Sequence, residues 1–283
     1  MKTLQLLTLL VLASTFTSCF REGGLICTKP NGEIVSEEVS LESFSRIELQ
    51  MEAEVFITQG DESSVRIEAS DNIMNILVTN VSKDELTLRT ERNECIRGKS
   101  DVKFYVTTPD VEAITLSGSG IIVNETPLTG SELDITLSGS GDIDLTDLDY
   151  SNSYMNISGS GKITIDEFVV NDLETKTSGS GKTSISDLNA SNVSMRVSGS
   201  GSMSFDGENA DRLDATIGGS GKLYAFDFPS ERVEINVSGS GDCEVTANEE
   251  LDVKITGSGS VYYKGRPNIN QRITGSGKIK NAN

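Results

Sequence analysis

The sequence predicts an all-β protein: a right-handed single-stranded parallel β-helix of about 20 residues per coil, with an N-terminal β capping region. Three observations carry that reading. The tripeptide Gly-Ser-Gly returns nine times, beginning at Gly118, Gly139, Gly159, Gly179, Gly199, Gly219, Gly239, Gly257 and Gly275, at intervals of 18 to 21 residues. Apolar and polar residues alternate straight through each tripeptide, the mark of extended chain with one buried face. Residues flanking successive tripeptides form columns of β-branched and aliphatic side chains, as the interior of a parallel stack requires.

Composition sets the outer limits. Glycine numbers 27 against five prolines, so neither a collagen nor a proline-rich linker fits. Histidine and tryptophan are absent, and the formal net charge is −19. A polyanion of that size is repelled by nucleic acid and by anionic membrane surfaces, so no nucleic-acid partner is expected. The repeat favours one continuous domain over residues 40–283 rather than two compact ones.

Taken in order, residues 1–18 read as a lipoprotein signal peptide. Lys2 supplies a basic start, and Leu4 to Phe16 is an apolar run too short for a permanent span. Phe16-Thr17-Ser18-Cys19 places small residues directly before a cysteine, similar to the bacterial lipoprotein cleavage box. Cys19 is then the lipidation site, and the anchor makes the membrane a partner. The other reading of these residues is an ordinary secretory peptide with an incidental cysteine. Residues 19–39 form the lipidated tether and a leading strand. Of the remaining cysteines, Cys243 falls on an inward position of the repeat. Cys27 and Cys95 are candidates for a disulfide in an oxidising compartment, a pairing that spacing alone leaves open.

Residues 40–110 read as degenerate capping coils. From Ile47 to Ile57 the apolar residues Ile47, Leu49, Met51, Ala53, Val55 and Ile57 alternate with Glu48, Gln50, Glu52, Glu54 and Phe56. Gln59-Gly60-Asp61 is a turn, and Val65 to Ala69 resumes the alternation. The stretch 71–80 is less regular and has room for a helical turn. Strands are expected over 85–90 and 102–107, joined by a charged exposed loop from Glu91 to Ser100. Leu49 to Val55 aligns with Leu137 to Ile143, with Met51 and Ala53 standing where glycines appear later.

The repeat proper occupies 111–283. The column before the tripeptide contains Leu116, Leu137, Ile157, Thr177, Val197, Ile217, Val237 and, shifted by one, Thr256. The column after it contains Ile122, Ile143, Ile163, Thr183, Met203, Leu223, Cys243, Val261 and Ile279. The paired glycines Gly118 and Gly120, Gly139 and Gly141, Gly159 and Gly161, Gly179 and Gly181, Gly199 and Gly201, Gly219 and Gly221, Gly239 and Gly241, Gly257 and Gly259, and Gly275 and Gly277 are read as corners whose inner face has no room for a side chain. Serine between them points outward and can hydrogen-bond along the stack. Ile217-Gly218-Gly219 breaks the outer serine column.

These pieces resemble one family. Phe44-Ser45-Arg46-Ile47, Val55-Phe56-Ile57-Thr58-Gln59-Gly60-Asp61, Val106-Thr107-Thr108-Pro109, the recurring Ser-Gly-Ser-Gly and Gly265-Arg266-Pro267 are similar to the family called Putative auto-transporter adhesin, head GIN domain. The resemblance covers roughly residues 40–280. It implies an envelope lipoprotein of the Bacteroidetes type on a right-handed β-helix, and it brings no catalytic residues.

Two functions compete. The first is a non-enzymatic outer-membrane lipoprotein, periplasmic or surface-exposed, binding a glycan or protein ligand through Ser119, Ser140, Ser160, Ser180, Ser200, Ser220 and Ser240. The second is a polysaccharide lyase or hydrolase using clustered carboxylates: Asp142, Asp144, Asp147 and Asp149, with Asp166 and Glu167 nearby. No histidine is present for general-base work, and no nucleophile motif is visible. Gly-Ser-Gly-Asp at 139–142 and 239–242 lacks the nine-residue period of calcium-binding β-rolls, and zinc lacks its ligands. No catalytic residue, metal or cofactor is therefore expected, and the oligomeric state is open.

Overall fold

Alternation decides burial along almost the whole chain. In the computed structural model, which describes residues 26–283, Leu137, Gly141, Ile143 and Leu145 are buried while Ser138, Ser140 and Asp144 face solvent. The signal peptide and Cys19 lie outside the described residues. Each regular coil has a strand before the corner, a strand after it and a third stretch that returns to the next coil. Early coils keep these pieces separate, as in Ala113–Leu116, Ile121–Asn124 and Leu128–Leu137. Middle coils fuse them into single 16-residue strands, Lys162–Thr177 and Lys182–Val197.

Every coil pairs in parallel with the next, in a register that keeps like beside like. Leu137 stands opposite Ile157, Ile157 opposite Thr177, and Thr177 opposite Val197. One expectation is corrected here. The column continues from Val237 to Ile255, not to Thr256, because Gly239 pairs with Gly257 and the 18-residue coil is shortened elsewhere. Ile255 is buried and Thr256 exposed. The third side of the core is the bulkiest: Leu128, Leu148, Phe168 and Leu188 stack in register. Phe205 and Phe228 meet edge-to-face at 6.3 Å. Thr175, Thr177 and Thr183 carry hydroxyls into this interior without a hydrogen-bond partner among the described residues.

At the N-terminal end, order in space departs from order in sequence. Arg46–Leu49 lies between Glu85–Thr90 on one side and Ala113–Leu116 on the other, all parallel. Glu54–Gln59 likewise lies between Lys103–Thr108 and Ile121–Asn124. The chain therefore lays its first coil, doubles back to build a layer outside it, and only then starts the regular stack. Antiparallel strands finish the outer layer: Leu77–Ser82 on Glu85–Thr90, then Ser64–Ser70 on Lys103–Thr108, then Ile34–Val39 on Ser64–Ser70. The irregular stretch after Ser70 resolves into a one-turn helix, Asp71–Met74, and the strand Leu77–Ser82. The expected loop Glu91–Ser100 contains a short strand, Glu94–Ile96, parallel to Ile26–Thr28. Cys27 and Cys95 face each other in that pairing, with Cα atoms 4.5 Å apart, and are disulfide-bonded.

Candidate functional site

The corner dictates what the outer surface can offer. A Cβ on Gly139 would stand 1.8 Å from the carbonyl oxygen of Gly118 in the preceding coil, and one on Gly159 would stand 1.9 Å from that of Gly139. On the second glycine the clash includes a core side chain: a Cβ on Gly141 would lie 2.2 Å from Gly120 O and 2.8 Å from a Leu116 methyl. Backbones at the bend are thus in direct contact, and glycine is required for close approach. From Gly219 onward the first glycine also takes a positive φ, between +115° and +148°. That change starts in the coil where Gly218 replaces serine, and there the paired ladder runs on to the first glycine.

Backbone groups hold the corners together. Ser140 N donates to Gly118 O at 3.3 Å, Ser160 N to Gly139 O at 3.2 Å, and Ser180 N to Gly159 O at 3.2 Å. The outward serines do not use their hydroxyls to bond along the stack. Among the described residues, none of Ser119, Ser140, Ser160, Ser180, Ser200, Ser220 and Ser240 has a side-chain hydrogen bond to a neighbouring coil, and all seven are exposed. With the carbonyls already satisfied by amides, the hydroxyls turn to solvent at the ~4.8 Å coil spacing.

A shallow groove runs along the rod on the strand face before the corner. Asp134, Tyr154, Glu174, Ser194 and Asp214 form one outward column of it in register. Asn192 Nδ2 donates to Asp172 Oδ1 at 2.9 Å, and Lys176 sits 5.0 Å from the Tyr154 ring centre. Arg212 closes the groove, donating to Asp214 at 2.8 Å and Glu234 at 3.0 Å. The hydrogen bond to Asp214 first, and its charge next, raise the Arg212 guanidinium pKa. Glu174 likewise raises that of Lys176.

The carboxylates proposed for hydrolysis do not converge. Asp142 faces Lys162, Asp144 faces Thr164, and Asp149 faces Val169 in the next coil, while Glu167 faces Asp187. Asp147 sits in a turn at φ 51°. Asp144, Asp147, Asp149, Asp166 and Glu167 are all exposed. Among the described residues no group of three or more His, Cys, Asp or Glu side chains could hold a metal ion. Cys243 lies within the core, where burial first and Asp242 second push its thiol up to about 12, so it stays protonated.

One cluster escaped the sequence reading. Phe56 stacks on Tyr105 at 5.0 Å, Arg66 lies 3.8 Å from the Tyr105 ring centre, and Tyr105 Oη is 3.2 Å from Glu68. The alternation had placed Phe56 among the outward residues. What it could not supply was the out-of-order layer that brings residue 105 beside residue 56.

With the geometry in place, the kinship can be read. The family profile described as Putative auto-transporter adhesin, head GIN domain matches residues 43–209 and again 155–267. The chain belongs to that family. This GIN-domain chain shares its fold with a putative adhesin from Parabacteroides distasonis, at 21% identity and a TM-score of 0.72, covering 91% of this chain and 100% of that one. A putative lipid binding protein from the same species aligns at 22% identity and a TM-score of 0.68, covering 91% and 100%. A putative adhesin from Parabacteroides merdae aligns at 19% and 0.67, covering 90% and 99%. At such identities the likeness is one of fold. No curated protein matches this GIN-domain chain in sequence.

Proposed function

We propose that this GIN-domain chain is a non-enzymatic lipoprotein of the cell envelope, anchored through Cys19, whose rod presents a repeating polar surface to an extended ligand. The observation that carries the reading is the corner: serine amides satisfy the glycine carbonyls of the preceding coil, and the exposed serine side chains repeat with every coil. A glycan or an extended protein segment is the ligand class that suits such a ladder. Proteins of the same fold described as putative adhesins support it. The buried columns leave the interior filled with side chains, so a ligand lies on the outside of the rod.

Two measurements test this reading. Mass spectrometry of the membrane fraction should find a diacylated N-terminal cysteine, and Cys19→Ala should release the protein from membranes. Protease treatment of intact cells, followed by glycan and matrix-protein arrays with the purified chain, should show accessibility and binding that replacement of Ser160, Ser180 and Ser200 by Ala reduces. Binding no better than that of an unrelated lipoprotein sinks the adhesive reading.

A further inference from the structure

The two ends of the rod differ in charge and resemble each other in what they leave unpaired. Residues 253–283 hold Lys254, Lys264, Arg266, Arg272, Lys278 and Lys280 and no acidic side chain, in a chain whose net charge is −19. Residues 30–45 hold Glu33, Glu37, Glu38 and Glu42 and no cation. The first stretch holds the last strands of the stack and the second holds one of the two strands that edge its other end, the other being Leu77–Ser82, which pairs only with Glu85–Thr90 among the described residues. Ile34–Val39 pairs only with Ser64–Ser70, Asn268–Gly275 only with Asp242–Gly257, and Lys278–Asn281 only with Ser260–Lys264, among the described residues. Among the described residues, each therefore has a row of backbone donors and acceptors without a strand partner.

Exposed apolar side chains gather at the same two places. Of seven large hydrophobic residues exposed among the described residues, four are Ile34 and Val35 at one end and Ile269 and Ile273 at the other. Strand direction also agrees. Two successive antiparallel pairings make Ile34–Val39 run the same way as Lys103–Thr108, and hence the same way as Lys278–Asn281. A following copy in the same orientation can lay its Lys278–Asn281 edge beside Ile34–Val39 as one more parallel step.

We propose that the basic C-terminal edge of one copy docks on the acidic cap edge of a second copy, so that rods associate head to tail. Charge selects this arrangement over its rivals. Cap against cap juxtaposes glutamates, and tail against tail juxtaposes lysines and arginines, so both symmetric dimers are opposed by like charge. Only the heterologous pairing brings Glu37 and Glu38 near Lys278 and Lys280, and such a contact does not close on itself but extends as a row. The end of a coil of about 20 residues buries roughly 500 Å² per partner, below the standard size for a stable complex, so the association is weak and grows with concentration. Copies held on one membrane would meet that condition, but the contact itself does not depend on the anchor or on the ligand of the outer faces.

Sedimentation velocity and electron microscopy of the full chain in mild detergent test the contact. Wild type should form a concentration-dependent open series of rods. Glu37→Lys with Glu38→Lys, or Lys278→Glu with Lys280→Glu, should each weaken association at least ten-fold at low salt. Mixing the two variants, or combining all four changes in one chain, should restore it. All four positions are exposed, and melting curves of each variant serve as the check on folding. A protein that stays monomeric at every concentration, a closed symmetric dimer, or association that ignores both reversals overturns the proposal.

Discussion

The corner at Met51-Glu52-Ala53 and the corner at Gly118-Ser119-Gly120 lie in adjacent coils, yet only the second needs glycine. The cause is what lies on the N-terminal side of each. A Cβ at Gly118 would stand 2.4 Å from Met51 O, and one at Gly120 would stand 2.4 Å from Ala53 O, because a tight bend sits directly beneath them. Beneath Met51 and Ala53 the chain instead takes the wider path through Glu94–Ile96, and both side chains are buried there. Glycine in this fold therefore marks close stacking on one side, and a residue with a Cβ marks a cap.

The sharpest way to break the comparison is a Cβ inside the stack. Gly161→Val would drive atoms against Gly141 O and Leu137, at 2.1 and 2.8 Å from the Cβ alone. We expect a loss on the order of 3 kcal/mol or more by thermal or urea unfolding, whereas Ala53→Gly in the cap should cost about 1 kcal/mol. Next comes the staple at the cap. Removing the Cys27–Cys95 bond by double Ser substitution releases a loop of 68 residues in sequence separation, and chain entropy assigns that about 4 kcal/mol. The effect should be local: hydrogen exchange should rise in residues 26–39 and 91–102 and stay unchanged in the coils beyond Gly139.

Tyr150 sharpens the contrast from within the stack. Its hydroxyl donates to Val111 O at 3.0 Å, and burial first, then Asp110, holds its pKa well above the usual value. A raised folded-state pKa means stability present below the unfolded value and lost as pH climbs past about 10. Tyr150→Phe should cost about 1 kcal/mol at pH 7 and flatten this alkaline decline in a pH series of melts. Thr177→Val acts in the opposite direction. It removes a buried hydroxyl that has no partner among the described residues and should stabilise the protein by about 1 kcal/mol in the same assay. The smallest effect belongs to Gly218→Ser: a Cβ there meets Ser238 Oγ only at 3.6 Å, so the melting curve should move by no more than about 0.5 kcal/mol.

How much of the site could be read in advance follows the same division. Outward serines and an inward Cys243 were both legible, because period-2 alternation assigns faces without knowing the neighbours. Whether the hydroxyls bond one another was not, since that depends on which backbone amides have already taken the carbonyls. Nor was the Phe56–Tyr105–Arg66 cluster, which joins three stretches separated by a chain reversal.

By itself, then, the order of residues determined the coil, its corners, its inner columns and its alternation, because each rests on local chain geometry repeated at a constant interval. The tertiary structure alone decided that the first coil is sandwiched rather than terminal and that Cys27 meets Cys95. Those features depend on which strands become neighbours after the chain doubles back, and sequence separation carries no information about that.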